Sequence, residues 1–188
     1  MEVHALLDVL HIAERLKDEL RHCDTSKGRR ESVAEHSWRI ALMALFMQDE
    51  FPELDMNKVI RMCLIHDLGE CFTGDIPTFL KSKEDEKKED EALAAWVRSL
   101  PEPYCTELAD LYAEMNALQT GEARLYKTLD KLEAVIQHNE ADIRTWEPHE
   151  YELNLTYAND IVAGTPYLAQ LREAIRDDTK QKIAEAQK

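Results

Sequence analysis

Glycine and proline are scarce in this 188-residue chain, at 5 and 6. Strand-rich folds spend both in tight turns, so their scarcity, beside abundant Ala, Leu, Glu and Lys, points to an all-α fold. No stretch approaches the ~20 consecutive apolar residues that a membrane span requires. The N-terminal segment MEVHALLDVLHIAERLKDEL is apolar along one face and charged elsewhere. It reads as neither a signal peptide nor a span. The four cysteines, Cys23, Cys63, Cys71 and Cys105, form no C-x-x-C pair, so they read as reduced thiols of a cytoplasmic protein. Positive charge is the minority, and the net charge is −15. That field repels nucleic-acid polymers and anionic membranes. A small anionic substrate is still admissible where a cation sits in the site.

The apolar fraction is 44%, ordinary for a globular chain. A chain of this length buries enough surface to fold without a disulfide or structural metal. No repeat or linker divides it, so one domain over 1–188 is expected. Helical spacing predicts an amphipathic helix over 3–20 with a buried stripe, then a polar loop over 21–31. Ser32 and Glu35 form a capping box that opens a second helix, running to about Glu50. A third, apolar almost all round, runs from Asn57 through His66 and reads as the core helix. A structured loop over 68–77 and a solvated charge run over 81–91 follow. Further helices are expected to about Ser99, over 103–118, over 122–145 and over 166–186. Residues 146–165 read as irregular.

Three segments put ionisable groups inside or beside apolar stripes: Glu35-His36, His66-Asp67, and Asp130 within YKTLDKLEAV. A buried lone charge is costly, so such groups need partners. Singly, each has an ordinary structural reading: a satisfied core histidine, a helix-end pair, a salt bridge from Asp130 to Lys127 or Lys131. The ordered set is what carries weight, and a metal ion would satisfy all its members together.

The strings ESVAEHSWR at 31–39, LIHDLGECFTGDIP at 64–77 and LDKLEA at 129–134 resemble the HD superfamily of phosphohydrolases. The resemblance is closest to bacterial 5′-deoxynucleotidases and their eukaryotic HD-domain relatives. It covers about residues 1–145, with 146–188 as a helical extension. It implies a single helical HD domain with one divalent metal held by His36, His66, Asp67 and Asp130. Two imidazoles and two carboxylates suit Mn²⁺, Co²⁺, Fe²⁺ or Zn²⁺ and do not choose among them. The resemblance also implies that Glu70 and Asp75 work at the catalytic centre as acid–base groups. Arg21 would bind phosphate, its guanidinium matching two oxygens at once, with Arg29 and Arg30 as weaker candidates. His22, beside it, is the second substrate-binding candidate, able to stack or hydrogen-bond; it stands where the bacterial enzymes carry Trp, so a preference for 2′-deoxyribose is not implied.

The activity implied is release of phosphate from a phosphomonoester, a (deoxy)nucleoside 5′-monophosphate first, by a homodimer. Two alternatives are a non-nucleotide phosphate as substrate and a metal-binding regulatory or scaffold module without turnover. An oxidising di-iron site would need further histidines between the motifs, and none lies between His36 and His66. The aromatics of 146–167 read as core or subunit interface rather than substrate contacts.

Overall fold

A computed structural model describes residues 1–187. α1 (Val3–Ala13) leads through a 3-10 turn at Glu14–Lys17 into a hairpin, β1 (Leu20–Asp24) and β2 (Arg30–Ser32). The strands run antiparallel, with Leu20 opposite Ser32 and Asp24 opposite Arg30. Next come α2 (Val33–Phe46), α3 (Met56–Ile65), the single turn α4 (Glu70–Thr73), α5 (Lys83–Ser99), α6 (Tyr104–Ala117) and α7 (Gly121–Glu140). Two tail helices, α8 (Glu150–Thr156) and α9 (Pro166–Ala186), complete the order. None of the described helices is long and apolar enough to cross a membrane.

The helices start where the sequence caps them. Ser32 and Glu35 close the expected capping box on α2. Asp55 accepts from the Lys58 amide at the start of α3, and Thr120 from Ala123 at the start of α7. Pro166 opens α9, where its missing N–H costs nothing. The core forms where α2, α3 and α7 meet, around Ile40, Ala44, Val59, Met62, Leu129, Leu132 and Val135.

Four expectations are corrected, one of them being the helix expected over 122–145, which ends at Glu140. The first helix ends at Ala13, not at residue 20, and none of its residues is buried. Val3 is 71% exposed, and Leu6, Leu7 and Leu10 also face outward. The helical spacing continues through Leu16 and Leu20, but from Leu20 on the backbone pairs with β2 instead. The polar stretch 21–31 is accordingly a hairpin rather than a loop. Its turn closes with Gly28 N–H on the Thr25 carbonyl at 2.9 Å, and Gly28 takes φ +78°, a region open to glycine at little cost. Most of the charge run 81–91 is the solvated first half of α5, but Lys81 and Glu86 face a cavity and Lys81 pairs with Glu89. The irregular 146–165 contains α8.

Candidate active site

At the junction of α2, α3 and α7 the apolar faces are interrupted by ionisable groups. His36, one turn into α2, is 0% exposed, as is Glu133 on α7. His36 Nδ1 bonds the Glu133 carboxylate, and its Nε2 faces Asp130 Oδ1 at 3.1 Å. His66 caps α3 and donates from Nδ1 to the Cys63 carbonyl at 2.9 Å, which turns its Nε2 toward the cluster. That Nε2 lies 2.9 Å from Asp67 Oδ2 and 3.8 Å from Asp130 Oδ1. One donor atom each from His36, His66 and Asp67 fall within 4.8 Å of one another. Lys127 pairs with the other Asp130 oxygen at 2.7 Å.

His66 Nε2 and Asp67 Oδ2 are buried, close, and hydrogen bonded to nothing. Buried polar atoms rarely go unpaired, and two facing each other in this way suit a shared third centre. The residues present therefore fit a divalent ion by position and by donor type. A second convergent set, Glu31, His36 and Glu133, also holds buried oxygens without a hydrogen bond, Glu31 Oε2 and Glu133 Oε1, but each of them faces a guanidinium. Arg21 Nε lies 3.4 Å from Glu31, and Arg39 Nε 3.6 Å from Glu133. Those guanidiniums balance the two carboxylates, so this set buttresses His36 from behind.

Arg21, on β1, also reaches Asp67 Oδ2 with Nη1 at 3.6 Å. Burial works against its charge, but Asp67, Asp130, Asp75 and Glu133 outweigh it and raise its pKa. Arg29 and Arg30 turn to the surface, bonding the Glu35 carboxylate and the His22 carbonyl. Glu70 opens α4 and is buried; burial, then Asp67 and Asp75, push its carboxyl up to about 10. Gly74 follows α4 with φ +81°, turning the chain so that the Asp75 N–H donates to Glu19 Oε1 at 2.9 Å. Burial likewise raises the Asp75 carboxyl, against Arg21.

Arg21, Asp67, Glu70, Asp75 and Asp130 line one part of a cavity of about 450 Å³. The cavity follows α7 from Asp130 to His138, eight positions or about 12 Å of helix. At the far end His22 Nε2 is 3.3 Å and His138 Nε2 2.9 Å from the same Glu150 oxygen, and His22 packs edge-on against Phe79.

The tail is only partly as expected. Trp146 is buried and donates to the His138 carbonyl, Tyr151 packs on Trp146, and Tyr167 packs on Phe51. Glu150, Asn154 and Tyr157, however, line the cavity. Sequence reasoning took Tyr157, with the other aromatics of the tail, for core or interface, and passed over Glu150, Asn154, Glu31 and Glu133. Glu133 was findable: it lies three positions after Asp130, a carboxylate amid Leu129, Leu132 and Val135.

The "HD domain" family model matches residues 13–166. The chain is 34% identical over 114 residues to 5′-deoxynucleotidase HDDC2 of Homo sapiens, covering 60% of this chain and 55% of the human protein. It is 32% identical over 163 residues to the Xenopus laevis protein of the same name, covering 82% and 77%. The chain thus spans little more than half the length of the first of these relatives. A crystal structure from Magnetospirillum magnetotacticum MS-1, described as a "predicted metal-dependent phosphohydrolase", superposes with a TM-score of 0.79 at 30% identity, covering 96% of this chain and 93% of that one.

Proposed function

The chain belongs to the HD domain family, and on that premise we propose that it is a metal-dependent phosphohydrolase acting on (deoxy)nucleoside 5′-monophosphates. The observation that carries the reading is the convergence of His36, His66 and Asp67, with His66 Nε2 and Asp67 Oδ2 free of hydrogen bonds, beside Asp130, whose Oδ1 lies 3.1 Å from His36 and 3.8 Å from His66, where Arg21, Glu70 and Asp75 also meet. The names of the relatives, 5′-deoxynucleotidases, support the substrate class.

His36 and His66 through Nε2, with Asp67 and Asp130, are the side chains that would hold the ion. A bound divalent ion supplies Lewis-acid activation of water and offsets charge on the phosphoryl oxygens. Glu133 and the Cys63 carbonyl fix the two imidazoles so that Nε2 of each points inward. Arg21 binds the phosphate through its fork and counters charge that grows as the ester bond breaks. Glu70 and Asp75 form the acid–base pair. One takes a proton from the attacking water and the other returns one to the leaving 5′-alkoxide. The far end of the cavity takes the nucleoside.

The same proposal includes a homodimer. The exposed apolar side chains of α1, with Trp38 and the 84%-exposed Phe46 on α2, supply surface of the kind that pairs. Light scattering at micromolar concentration checks this part; a monomer there removes it.

The test of the reaction is a phosphate-release screen over ribo- and deoxyribonucleoside monophosphates with Mn²⁺, Co²⁺ and Zn²⁺. Release that a chelator abolishes is expected. Metal binding without release from any phosphomonoester would favour the inert regulatory module instead.

A further inference from the structure

The tail carries two polar side chains whose burial nothing above explains. Arg172, on α9, is 2% exposed. It donates from Nε to the Tyr157 carbonyl at 2.8 Å and from Nη2 to the Asn154 carbonyl at 2.9 Å. Its surroundings hold no carboxylate that favours its charge. Burying a cation on neutral acceptors is costly, so what it holds in place matters. It holds the C-terminal half of α8.

Asn154 is 3% exposed, and its Nδ2 bonds nothing in the protein. Glu150, Asn154 and Tyr157 fall at i, i+4 and i+7, one face of a helix, and all three line the cavity. The two helices run in opposite senses along it. Glu150 meets His138, and Tyr157 meets the Lys131 ammonium 5.5 Å from its ring. Asn154 therefore lies abreast of Ala134 and Val135, about 6 Å along α7 from Asp130. That offset leads away from Arg21 and the Asp130 carboxylate, toward whatever is attached to the phosphate. An amide donor buried without an acceptor is a standing cost that a ligand acceptor would relieve.

We propose that Asn154 recognises the nucleoside half of the substrate, its Nδ2 donating to a sugar or base acceptor, and that Arg172 is the positioning residue that aims it. The inference rests on the nucleotide reading above, and it separates that reading into a phosphate end and a nucleoside end with different residues.

The test is calorimetric binding to the Mn²⁺-loaded chain of two ligands that share no group: thymidine or deoxyadenosine, and inorganic phosphate. Asn154→Asp keeps the shape and removes the donor, and Asn154→Ala serves as a second variant. Nucleoside affinity is expected to fall about 10-fold or more in both, with phosphate affinity unchanged. Arg172→Lys should weaken the nucleoside alone, because it acts through Asn154. Repeating the series with the 3′-deoxy nucleoside assigns the acceptor. An Asn154 effect that vanishes places the contact on the 3′-hydroxyl, and one that persists places it elsewhere on the nucleoside. Nucleoside binding equal in wild type and Asn154→Asp, or absent from wild type, overturns the proposal. So does an equal loss of phosphate affinity, which would mark general damage. Absence of phosphate release defeats the enzymatic reading instead, and leaves this binding result intact to be judged by itself.

Discussion

The two ends of the cavity are built in opposite ways. At one end, charged groups converge from three core helices and are locked from behind: His36 by Glu133, His66 by the Cys63 carbonyl, Asp130 by Lys127. At the other end the wall is a short tail helix, α8, fastened by neutral carbonyl bonds from Arg172 and by the His138–Glu150 pair. Phosphate chemistry needs donors fixed to fractions of an ångström, and a packed core supplies that. Recognition of the rest of a substrate tolerates a peripheral element, which is where variation is cheapest.

The comparison breaks most sharply at the core end. Asp67→Asn, or His66→Ala, should abolish metal binding and lower turnover by ~10³-fold or more. Metal content after gel filtration, read beside phosphate release, checks it. Glu70→Gln should cost ~10²–10⁴-fold in kcat while the chain keeps its ion. If metal content falls with it, Glu70 is a ligand and its acid–base role is wrong. Arg21→Lys keeps charge but loses the fork, so KM should rise ~10–100-fold with little change in metal content. An unchanged KM would move phosphate recognition to another residue.

The tail end should respond more gently, and to pH. Burial works against the charge on His138, but Cys23 and Glu150 outweigh it and raise its pKa to about 10 from 6.5. His22 approaches the same Glu150 oxygen. A group raised on folding stabilises fully below its unfolded value and loses that contribution as pH climbs through the folded one. Thermal stability should therefore decline between about pH 6.5 and 10, by about 1 kcal/mol or ~2–4 °C in Tm. The decline should shrink in His138→Gln. An equal pH response in that variant would assign the effect elsewhere.

Legibility in the sequence follows the same division. His36, His66, Asp67 and Asp130 were read together through the family resemblance that three short strings carry, and the fold brings those side chains near one another. The Ser32–Glu35 capping box alone sets the face that His36 presents. The starts of α2 at Ser32 and of α9 at Pro166 were legible, but the Thr120 cap of α7 was not read, and its end at Glu140 came five positions before the expected 145. The hairpin was not: RHCDTSKGRRES has weak alternation, and its pairing depends on Leu20 meeting Ser32 across a turn. Nor was the cavity-lining role of Asn154, which depends on Arg172 docking eighteen positions later. The exposure of α1 was misread because an amphipathic stripe states that a face is apolar, not what covers it.

The most direct test of the account is an anomalous difference map from a crystal soaked in Mn²⁺. Two carboxylate–imidazole clusters share His36, one on each side of its ring. The account predicts one peak on the Nε2 side, in contact with His36, His66, Asp67 and Asp130. A peak on the Nδ1 side, between Glu31 and Glu133, or none at either place, would contradict it.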